Sequence, residues 1–469
     1  MTAEQPTPQT PQTRQAQGTP ETPGAPGTQR QGTQRREILR LAVPAFLALI
    51  AEPLFLLADS AIIGHLGTAE LAGLGIASAA LVTAAGIFVF LAYGTTSVVA
   101  RHVGAGDERS AISAGLDGFW LAIGLGILAG AVVAVWAEPI SSAFGASPAV
   151  VEQASTYLRV SAFGLPGMLV ILAVTGVLRG LQDTVTPLLA SVVGFGANIA
   201  LNLLFVYGLH WGIAGSAWGT VIAQTGMGVA LAAVLVTRAR RRGAMLHPHP
   251  ARVLASARTG IPLLVRTLAL RAVLLLTAWV AASLGDVTLA AHQVAMTLWS
   301  FLAFALDALA IAAQAIVGRA LGAGDRPGVR AATATMTRWG VWGGLLVGLV
   351  VVALHGVIPP LFTPDPAVQQ TLGAALVVVG LGQAVSGYVF VLDGVLIGAG
   401  DGVWLAWGMV ATLVAYLPVL LLVRSLGPST SPAHDVAVLW AAFTGFMVIR
   451  AVILGWRARQ DGWMVVGAR

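Results

Sequence analysis

One seven-residue pattern occurs twice in this chain, each time directly after a long apolar stretch. The first copy reads Arg-His-Val-Gly-Ala-Gly-Asp from Arg101 to Asp107, and the second reads Arg-Ala-Leu-Gly-Ala-Gly-Asp from Arg319 to Asp325. The two copies lie 218 residues apart. The same offset relates residues of another pair of loops: Gly180 and Gly398, Asp183 and Asp401. One register held over separate loops indicates an internally duplicated chain, whose function is expected at the seam between the copies.

The composition places this duplication in a membrane. Hydrophobic residues make up 57% of the 469 residues and charged residues only 10%, whereas a soluble domain carries about 25% charged residues. Apolar stretches of about 20 residues, the length that crosses the hydrocarbon core, occur twelve times. An even-numbered half returns the second copy in the same orientation. The sequence predicts an all-α integral membrane protein with 12 transmembrane helices, in two parallel-repeat six-helix lobes around a central cleft.

Five segments follow from this pattern. We expect a disordered N-terminal segment over 1–37, an N-lobe over 38–237, a basic linker over 238–255, a C-lobe over 256–456 and a tail over 457–469. The N-terminal segment is rich in proline, glutamine, threonine and glycine and has too few apolar side chains to form a core. It also lacks the apolar stretch of a cleavable signal peptide, so the first span is expected to be retained.

The arginines predict the orientation of the spans. They precede the first span or lie in alternate loops, and include Arg36, Arg101, Arg179, Arg241, Arg319 and Arg457. The intervening loops are mostly acidic, with Arg424 almost the only base. By the positive-inside rule, both chain ends are predicted to be cytoplasmic. The Arg-only, Ala/Gly/Val-rich residue usage suggests a bacterial genome, so we expect a multi-pass protein of the bacterial cytoplasmic (inner) membrane. The net charge of +6 is therefore a topogenic signal and predicts no nucleic-acid partner.

Several chemistries are excluded by residue types that the sequence lacks. All 26 basic residues are arginine and there is no cysteine, which rules out disulfides, thiolate metal sites and the lysine of a P-loop. No metal-ligand cluster and no Ser/His/Asp triad occurs at usable spacing. The sequence therefore predicts neither an enzyme nor a nucleotide or metal site.

Charged side chains inside the spans are the first candidates for function, because a charge at the bilayer centre costs about 2.5–3.5 kcal/mol. Glu52 and Asp59 of the first span are seven residues apart and share one helix face. Pro53 lies between them and cannot donate a hydrogen bond to the preceding turn, so it is a candidate hinge. Such a helix suits a proton-operated element. The alternative for Asp59 is a solvated position at the outer end of the helix.

Uncharged polar side chains are paired in two further spans. Asn198 and Asn202 are four residues apart in the fifth span, and Thr220 and Gln224 have the same spacing in the sixth. Residues at this spacing face one way. They are candidates for a cavity that holds an ion or a substrate. Hydrogen bonds between helices, worth about 0.6 kcal/mol each, explain them equally well.

The second lobe carries acids of its own, Asp307 and Asp393, in the eighth and tenth spans. The residues 218 positions earlier, Val89 and Thr175, are uncharged. The repeats thus share a scaffold and not their acids, which favours functional roles for both carboxylates over packing. Arg271, the deeper arginine of the seventh span, is expected to pair with one of these acids. The alternative is that it extends to the cytoplasmic face.

These features resemble the MATE family (multidrug and toxic compound extrusion). The chain has twelve spans in two parallel sets, Gly-Ala-Gly-Asp after the second and eighth, and Glu-Pro followed by Asp-Ser and Gly-His-Leu-Gly in the first. Leu-Ala-Ala-His-Gln-Val at 289–294 and Leu-Asp at 306–307 and 392–393 resemble its DinF branch in particular. The resemblance extends over residues 36–456.

The resemblance implies cation-coupled antiport by alternating access. Protons, or else sodium ions, enter while amphipathic and usually cationic organic compounds leave through a cleft between two rocking lobes. It gives ion coupling to Asp59 and Asp393 and cavity positions to Asn198 and Asn202. Some relatives have aspartate in place of Asn202, and a glutamate of other branches is missing from the seventh span, where Arg271 stands. The expected partners of a monomeric protein are a small organic substrate and membrane lipid, with no cofactor beyond H+ or Na+.

Two other functions stay open. A flippase or exporter of lipid-linked or other metabolites would need a large basic cavity, and the predicted core of the C-lobe carries only Arg266 and Arg271. A membrane-embedded enzyme or a sensor is disfavoured by the duplicated lobes and by the missing catalytic residues.

Overall fold

The structure, a computed structural model, describes the backbone of residues 26–468 and the side chains of 35–468 other than those of Glu52 and Leu57. All regular elements in this part of the chain are helical. The α-helices are α1 (Pro26–Gly64), α2 (Thr68–Phe88), α3 (Phe90–Gly104), α4 (Glu108–Ser142), α5 (Pro148–Ser161), α6 (Leu165–Gly180), α7 (Val185–Leu203), α8 (Gly212–Arg241), α9 (Pro250–Ser283), α10 (Asp286–Gly322), α11 (Arg326–Ala353), α12 (Pro366–Gly398), α13 (Gly402–Leu426) and α14 (Pro432–Arg459).

These helices form 12 segments that are long and apolar enough to cross a membrane. The segment Thr68–Gly104 contains α2 and α3, and the segment Pro148–Gly180 contains α5 and α6. α6 begins with a proline in its first turn, where the missing N–H is tolerated. The predicted all-α fold with twelve spans is confirmed.

The duplicated motif has the same structure in both lobes. Gly106 and Gly324 have φ angles of 79° and 77°, a conformation that favours glycine because it has no Cβ. Asp107 and Asp325 are the N-cap residues directly before α4 and α11, and each carboxylate accepts a hydrogen bond from a backbone N–H of the first turn, at 2.9 and 2.8 Å. The motif therefore ends one span and caps the next.

The two lobes meet directly where α3 crosses α10. A Cβ atom on Gly104 would lie 1.9 Å from the carbonyl oxygen of Arg319, and one on Gly322 would lie 2.0 Å from that of Arg101. These two contacts exchange under the 218-residue offset, so the crossing lies on the axis that relates the copies. Both motif loops are therefore on one face of the bundle, as predicted. We call it the arginine-rich face.

The second pair of repeated loops closes each lobe at this face. Asp183 pairs with Arg238 near the end of α8. Asp401 pairs with Arg457 near the end of α14, with 2.7 Å between Nε and Oδ2. Each aspartate thus holds the last helix of its own lobe.

The N-terminal boundary differs from the prediction. α1 begins at Pro26, inside the segment 1–37 that the sequence predicts to be disordered, and residues 1–25 lie outside the described part of the chain. A helix grows readily at the end of an existing one, because each added residue needs no new nucleation step.

The linker is also shorter than the predicted 238–255. α8 continues to Arg241, and α9 already begins at Pro250. Arginines in the last turn of α8 interact favourably with the negative end of the helix dipole, and proline is well suited to the first turn of a helix.

The main hydrophobic core contains large side chains of α14, including Trp440 and Phe443, and continues across the seam to Phe90 of α3 and Leu169 of α6. A separate core in the N-lobe includes Leu178 of α6 and Leu235 of α8. These cores hold the polar helices of each lobe in fixed register.

Candidate ion and substrate sites

Asp59 lies deep in the N-lobe on α1, where the residue is 2% exposed. Its Oδ1 accepts hydrogen bonds from Asn202 Nδ2 at 2.8 Å and from the Ser216 hydroxyl at 2.7 Å. Its Oδ2 accepts one from the Tyr157 hydroxyl at 3.3 Å. All three donors are uncharged groups, which solvate the carboxylate without supplying an opposite charge. This burial excludes the solvated helix end as an explanation of Asp59.

The hydrogen-bond network continues from Asp59 into α7 and α8. Asn202 Nδ2 also donates to Asn198 Oδ1 at 3.0 Å, and Asn198 Nδ2 donates to the Thr220 hydroxyl at 3.0 Å. Gly219 leaves room for this arrangement, since a Cβ there would lie 2.0 Å from the amide oxygen of Asn202. The structure thus brings Asp59, Asn198, Asn202 and Thr220 together, and the two asparagines face one way, as their spacing predicts.

Three other predicted residues of the N-lobe have different placements. Gln224 lies one turn beyond Thr220, with its Oε1 3.0 Å from the place that a Cβ on Gly164 would occupy, and so borders the start of α6. Pro53 lies inside α1, which is one continuous helix from Pro26 to Gly64. The side chain of Glu52 lies outside the described residues.

Sequence reasoning missed two of the three donors to Asp59. Ser216 lies four residues before Thr220 on α8, so continuing the polar stripe by one turn would have identified it. Tyr157 lies in α5, and nothing in its sequence surroundings indicates a contact with α1.

A cluster of charged side chains lies in the C-lobe near the seam. Asp393 on α12 pairs with Arg266 on α9 and with Arg450 on α14. The distance from Arg450 Nη2 to Asp393 Oδ1 is 3.0 Å, and Arg266 Nε donates to the same oxygen at 3.3 Å. All three side chains are buried. A cavity of about 10 Å³ beside them has room for about one water molecule.

Asp307 extends this cluster from α10 toward the N-lobe. It interacts electrostatically with Arg266 and with Arg179 of α6. The Arg266 guanidinium lies over the ring of Tyr93 on α3, 5.8 Å from its centroid. Because α3 and α6 belong to the N-lobe, the cluster bridges the seam between the lobes.

The predicted pairing of Arg271 with one of these acids is wrong. Its guanidinium lies against α2, where a Cβ on Gly86 would be 1.9 Å from Nη2. Arg266 and Arg271 are five residues apart and point about 140° apart around α9, so only one of them can face Asp393. Arg450, the other partner of Asp393, was missed because it lies in the last span, far away in sequence.

The chain matches the MatE family model twice, over residues 44–204 and 262–423. The two matches begin 218 residues apart, which is the offset of the duplicated motif. Over 447 residues, 92% of this chain and 84% of the relative, it is 30% identical to Protein DETOXIFICATION 44, chloroplastic, of Arabidopsis thaliana. Over 444 residues, 91% of this chain and 94% of the relative, it is 29% identical to DNA damage-inducible protein F of Escherichia coli (strain K12).

Solved structures share the fold. A MATE transporter in the bent conformation superposes with a TM-score of 0.83 at 22% identity, over 94% of this chain and 98% of that chain. A MOP superfamily transporter from Pyrococcus furiosus, described as having a binding pocket of reverse polarity, superposes with a TM-score of 0.80 at 21% identity, over 92% of this chain and 96% of that one. The fold is that of a twelve-span membrane protein, and the family match defines a secondary transporter and not an enzyme. The chain belongs to the MatE family, whose members are multidrug and toxic compound efflux transporters.

Proposed function

We propose that this protein is a proton-coupled antiporter that exports amphipathic organic compounds by alternating access. The observation that carries the proposal is the buried carboxylate of Asp59, held by Tyr157, Asn202 and Ser216. Because these donors are uncharged, the carboxylate can gain and lose a proton without breaking an ion pair. The protonation state of Asp59, and with it the charge of the site, can then depend on the side of the membrane to which the cleft opens.

The donor set favours a proton over a sodium ion as the coupling ion. A cation needs oxygen lone pairs, whereas the Nδ2 of Asn202 has only hydrogens to offer. In this structure that nitrogen, and not the amide oxygen, lies 2.8 Å from Asp59 Oδ1, so a sodium ion bound there would require the amide group to turn round. A proton needs only the carboxylate itself.

Transport then follows from one exchange at Asp59. When the cleft opens outward, a proton binds the carboxylate, and a bound cationic substrate loses its counter-charge and leaves. The neutral site reorients at a lower cost than a bare charge in the membrane interior. Toward the cytoplasm the proton leaves, and the carboxylate attracts the next substrate. Pro53 is the proposed hinge of α1, and Glu52 is proposed as a second coupling acid.

The arginine-rich face is proposed to be cytoplasmic in a bacterial inner membrane. It carries the arginines of the duplicated motif, those at the end of α8 and the end of the chain. An excess of arginine in short loops is retained on the cytoplasmic side during insertion. The protein is proposed to act as a monomer, because the seam lies between the two lobes of one chain.

Flux in proteoliposomes tests the coupling ion and the acid together. Ethidium transport is measured with a proton gradient alone and with a sodium gradient alone. We expect only the proton gradient to drive it, and Asp59→Asn to abolish it. Asp435→Asn, which removes an acid that is 6% exposed in the first turn of α14, is the matched control and should transport normally. Sodium-driven flux by the parent, or proton-driven flux by Asp59→Asn, contradicts the proposal.

A second candidate substrate class carries an acidic group. Three arginines of the seam cluster, Arg179, Arg266 and Arg450, accompany two acids, Asp307 and Asp393. An exporter of acidic metabolites needs a basic cavity, and these three arginines at the seam are more than the two that the sequence predicts for the C-lobe core. A surplus positive charge favours a carboxylate or a phosphate. Carboxyfluorescein and ethidium, compared in the same vesicles, separate the two classes. Export of carboxyfluorescein that Arg450→Ala abolishes would support the acidic class.

A further inference from the structure

Arginines at the arginine-rich face connect the lobes in a repeated pattern. Arg101, in α3 of the N-lobe, donates through Nη1 to the carbonyl oxygen of Ala399 in the C-lobe at 3.3 Å. Arg319, its equivalent in α10 of the C-lobe, donates through Nη1 to Gln182 Oε1 in the N-lobe at 2.6 Å. The same nitrogen lies 3.4 Å from Glu37 Oε1 on α1. Each copy of the motif therefore sends its arginine across to the opposite lobe.

The acceptors lie at neighbouring, not identical, positions of the two copies, since Ala399 corresponds to Leu181, the residue before Gln182. The first acceptor is a backbone carbonyl and the second a side-chain amide oxygen. Ala399 directly follows α12, and Gln182 lies just after the end of α6, the corresponding helix of the other lobe. Carbonyl groups at a helix C-terminus carry partial negative charge and attract a cation. Ser97, one turn before Arg101 on α3, adds a hydrogen bond from its hydroxyl to the Gly398 carbonyl oxygen at 3.2 Å. The end of each of these helices is thus held by the other lobe.

The end of the chain lies at the same seam. Residues 460–468, which we call the tail segment, leave α14 after Arg459. Trp463 and Met464 of this segment are buried and belong to the main hydrophobic core. Asp461 pairs with Arg330 of α11 at 2.8 Å. The beginning of the tail segment is therefore fixed to the C-lobe.

The last residues of the tail segment contact both lobes. The carbonyl oxygen of Val465 accepts a hydrogen bond from Arg101 of the N-lobe. The N–H of Gly467 donates to the carbonyl oxygen of Leu321 in α10 at 3.0 Å. The segment thus lies across the crossing of α3 and α10, on the side away from the membrane interior.

We propose that Arg101, Arg319 and the tail segment form a latch that holds the arginine-rich face closed and must open before substrate enters from that face. The inference rests on the proposed alternating-access function. The contacts of Arg101 with Ala399 and Val465 join the two lobes, and so does the contact of Arg319 with Gln182. These contacts are lost when the lobes separate at this face, whereas the tail segment keeps its own contacts within the C-lobe. The strength of the latch therefore sets the population of the state that is closed at the arginine-rich face.

A single cysteine reports latch opening, because the chain has none of its own. Ser97→Cys is nearly isosteric and places the thiol in the seam, where the residue is 5% exposed. A water-soluble maleimide is applied from the arginine-rich side in proteoliposomes. The labelling rate is compared in Arg101→Ala, in Arg319→Ala and in a chain that ends at Met464. We expect about tenfold faster labelling in each, the factor that the loss of one charge-assisted hydrogen bond gives.

Arg109→Ala and Arg326→Ala are the matched controls. Each removes one exposed arginine beside a motif copy at the same face and should label at the parent rate. Unchanged labelling in the latch variants, or an equal increase in the controls, overturns the proposal. Labelling needs neither substrate nor a proton gradient, so failure of the latch and failure of proton-coupled export are distinguishable.

A cross-link tests the latch without removing any of its residues. Ala105 and Ala323 follow α3 and α10 at the crossing and are exposed. A short bismaleimide that joins Ala105→Cys to Ala323→Cys should stop transport, whereas the treated single-cysteine proteins should transport normally. Transport at the parent rate by the cross-linked protein would show that the seam does not have to open, and would overturn the proposal.

Discussion

The two lobes place their buried acids in opposite electrostatic surroundings. In the N-lobe, Asp59 is held by uncharged donors from three helices. In the C-lobe, Asp393 lies between the guanidinium groups of Arg266 and Arg450. Protonation of Asp393 would break its ion pairs with two buried guanidinium groups, which is costly, whereas protonation of Asp59 breaks no ion pair. The first acid is suited to change its charge and the second to fix the positions of other groups.

The equivalent positions show that the scaffold was kept while the chemistry changed. Thr277 of the C-lobe corresponds to Asp59 under the 218-residue offset, and Tyr416 corresponds to Asn198. The hydroxyl groups of Thr277 and Tyr416 are 3.0 Å apart. A polar contact thus joins the same two helices in both lobes, but only the N-lobe has an acid there. The duplicated fold therefore does not require Asp59.

The largest effect that this comparison predicts is on stability. Asp393→Asn leaves Arg266 and Arg450 without their carboxylate, and breaking a buried ion pair costs about 3–5 kcal/mol. Asp59→Asn breaks no ion pair, and the loss of hydrogen-bond quality should cost about 1 kcal/mol. Denaturant unfolding of both variants in detergent micelles measures the difference. Equal losses of unfolding free energy would remove the distinction between the two sites.

A triple replacement sharpens the same contrast. Asp393→Leu, Arg266→Met and Arg450→Leu together remove the ion pairs without leaving an unpaired charge among these residues. Replacing a buried ionic group by apolar side chains of similar size is often neutral or stabilising. We therefore expect the triple variant to unfold at a higher denaturant concentration than Asp393→Asn alone. If the triple variant is as unstable as Asp393→Asn, the cluster contributes to the free energy of unfolding through packing rather than through charge pairing.

The N-lobe site could be predicted because its spacing is local. Asn198 and Asn202 lie one turn apart on α7, so their common direction follows from helical geometry alone. Which helix they face is not local, and the contact with Asp59 was reached through the resemblance to a known family. Tyr157 belongs to a further helix, and no periodicity in α5 indicates that it donates to Asp59.

The C-lobe cluster could not be predicted in detail, for the same reason. Asp393, Arg266 and Arg450 come from three helices, and their pairing depends on how each helix is rotated about its axis. Arg271 lies deeper in the membrane, which made it the expected partner of an acid. The rotation of α9 about its axis instead points Arg266 toward Asp393. The motif at Arg101 and Arg319 was recognised as a repeat, but its contacts across the seam depend on how the two lobes pack.

A moderate effect is expected for the longest hydrogen bond of Asp59. Tyr157→Phe removes the donor at 3.3 Å, and a hydrogen bond of this kind contributes about 0.5–1.5 kcal/mol. Proton-driven ethidium flux should fall about two- to tenfold, as converted from that range. Tyr416→Phe is the matched control, since it removes a buried hydroxyl that contacts Thr277 in the C-lobe. Equal flux losses in the two variants would show that a buried tyrosine in either lobe matters equally.

The smallest effect is expected one step further from the acid. Thr220→Val is nearly isosteric and removes the oxygen that accepts from Asn198 Nδ2 at 3.0 Å, while the three donors to Asp59 stay in place. The unsatisfied Asn198 amide costs stability, but the proton-binding carboxylate keeps its surroundings. Proton-driven flux should therefore change less than about twofold, which is well under the factor that the loss of one direct hydrogen bond gives.

Ser216→Ala, on the same face of α8, removes a direct donor at 2.7 Å and should reduce flux severalfold. Initial rates of proton-driven ethidium transport, compared at one protein density, separate the two cases. If Thr220→Val reduces the rate as much as Ser216→Ala, the unit that changes charge includes Asn198 and Thr220 as well as the direct donors.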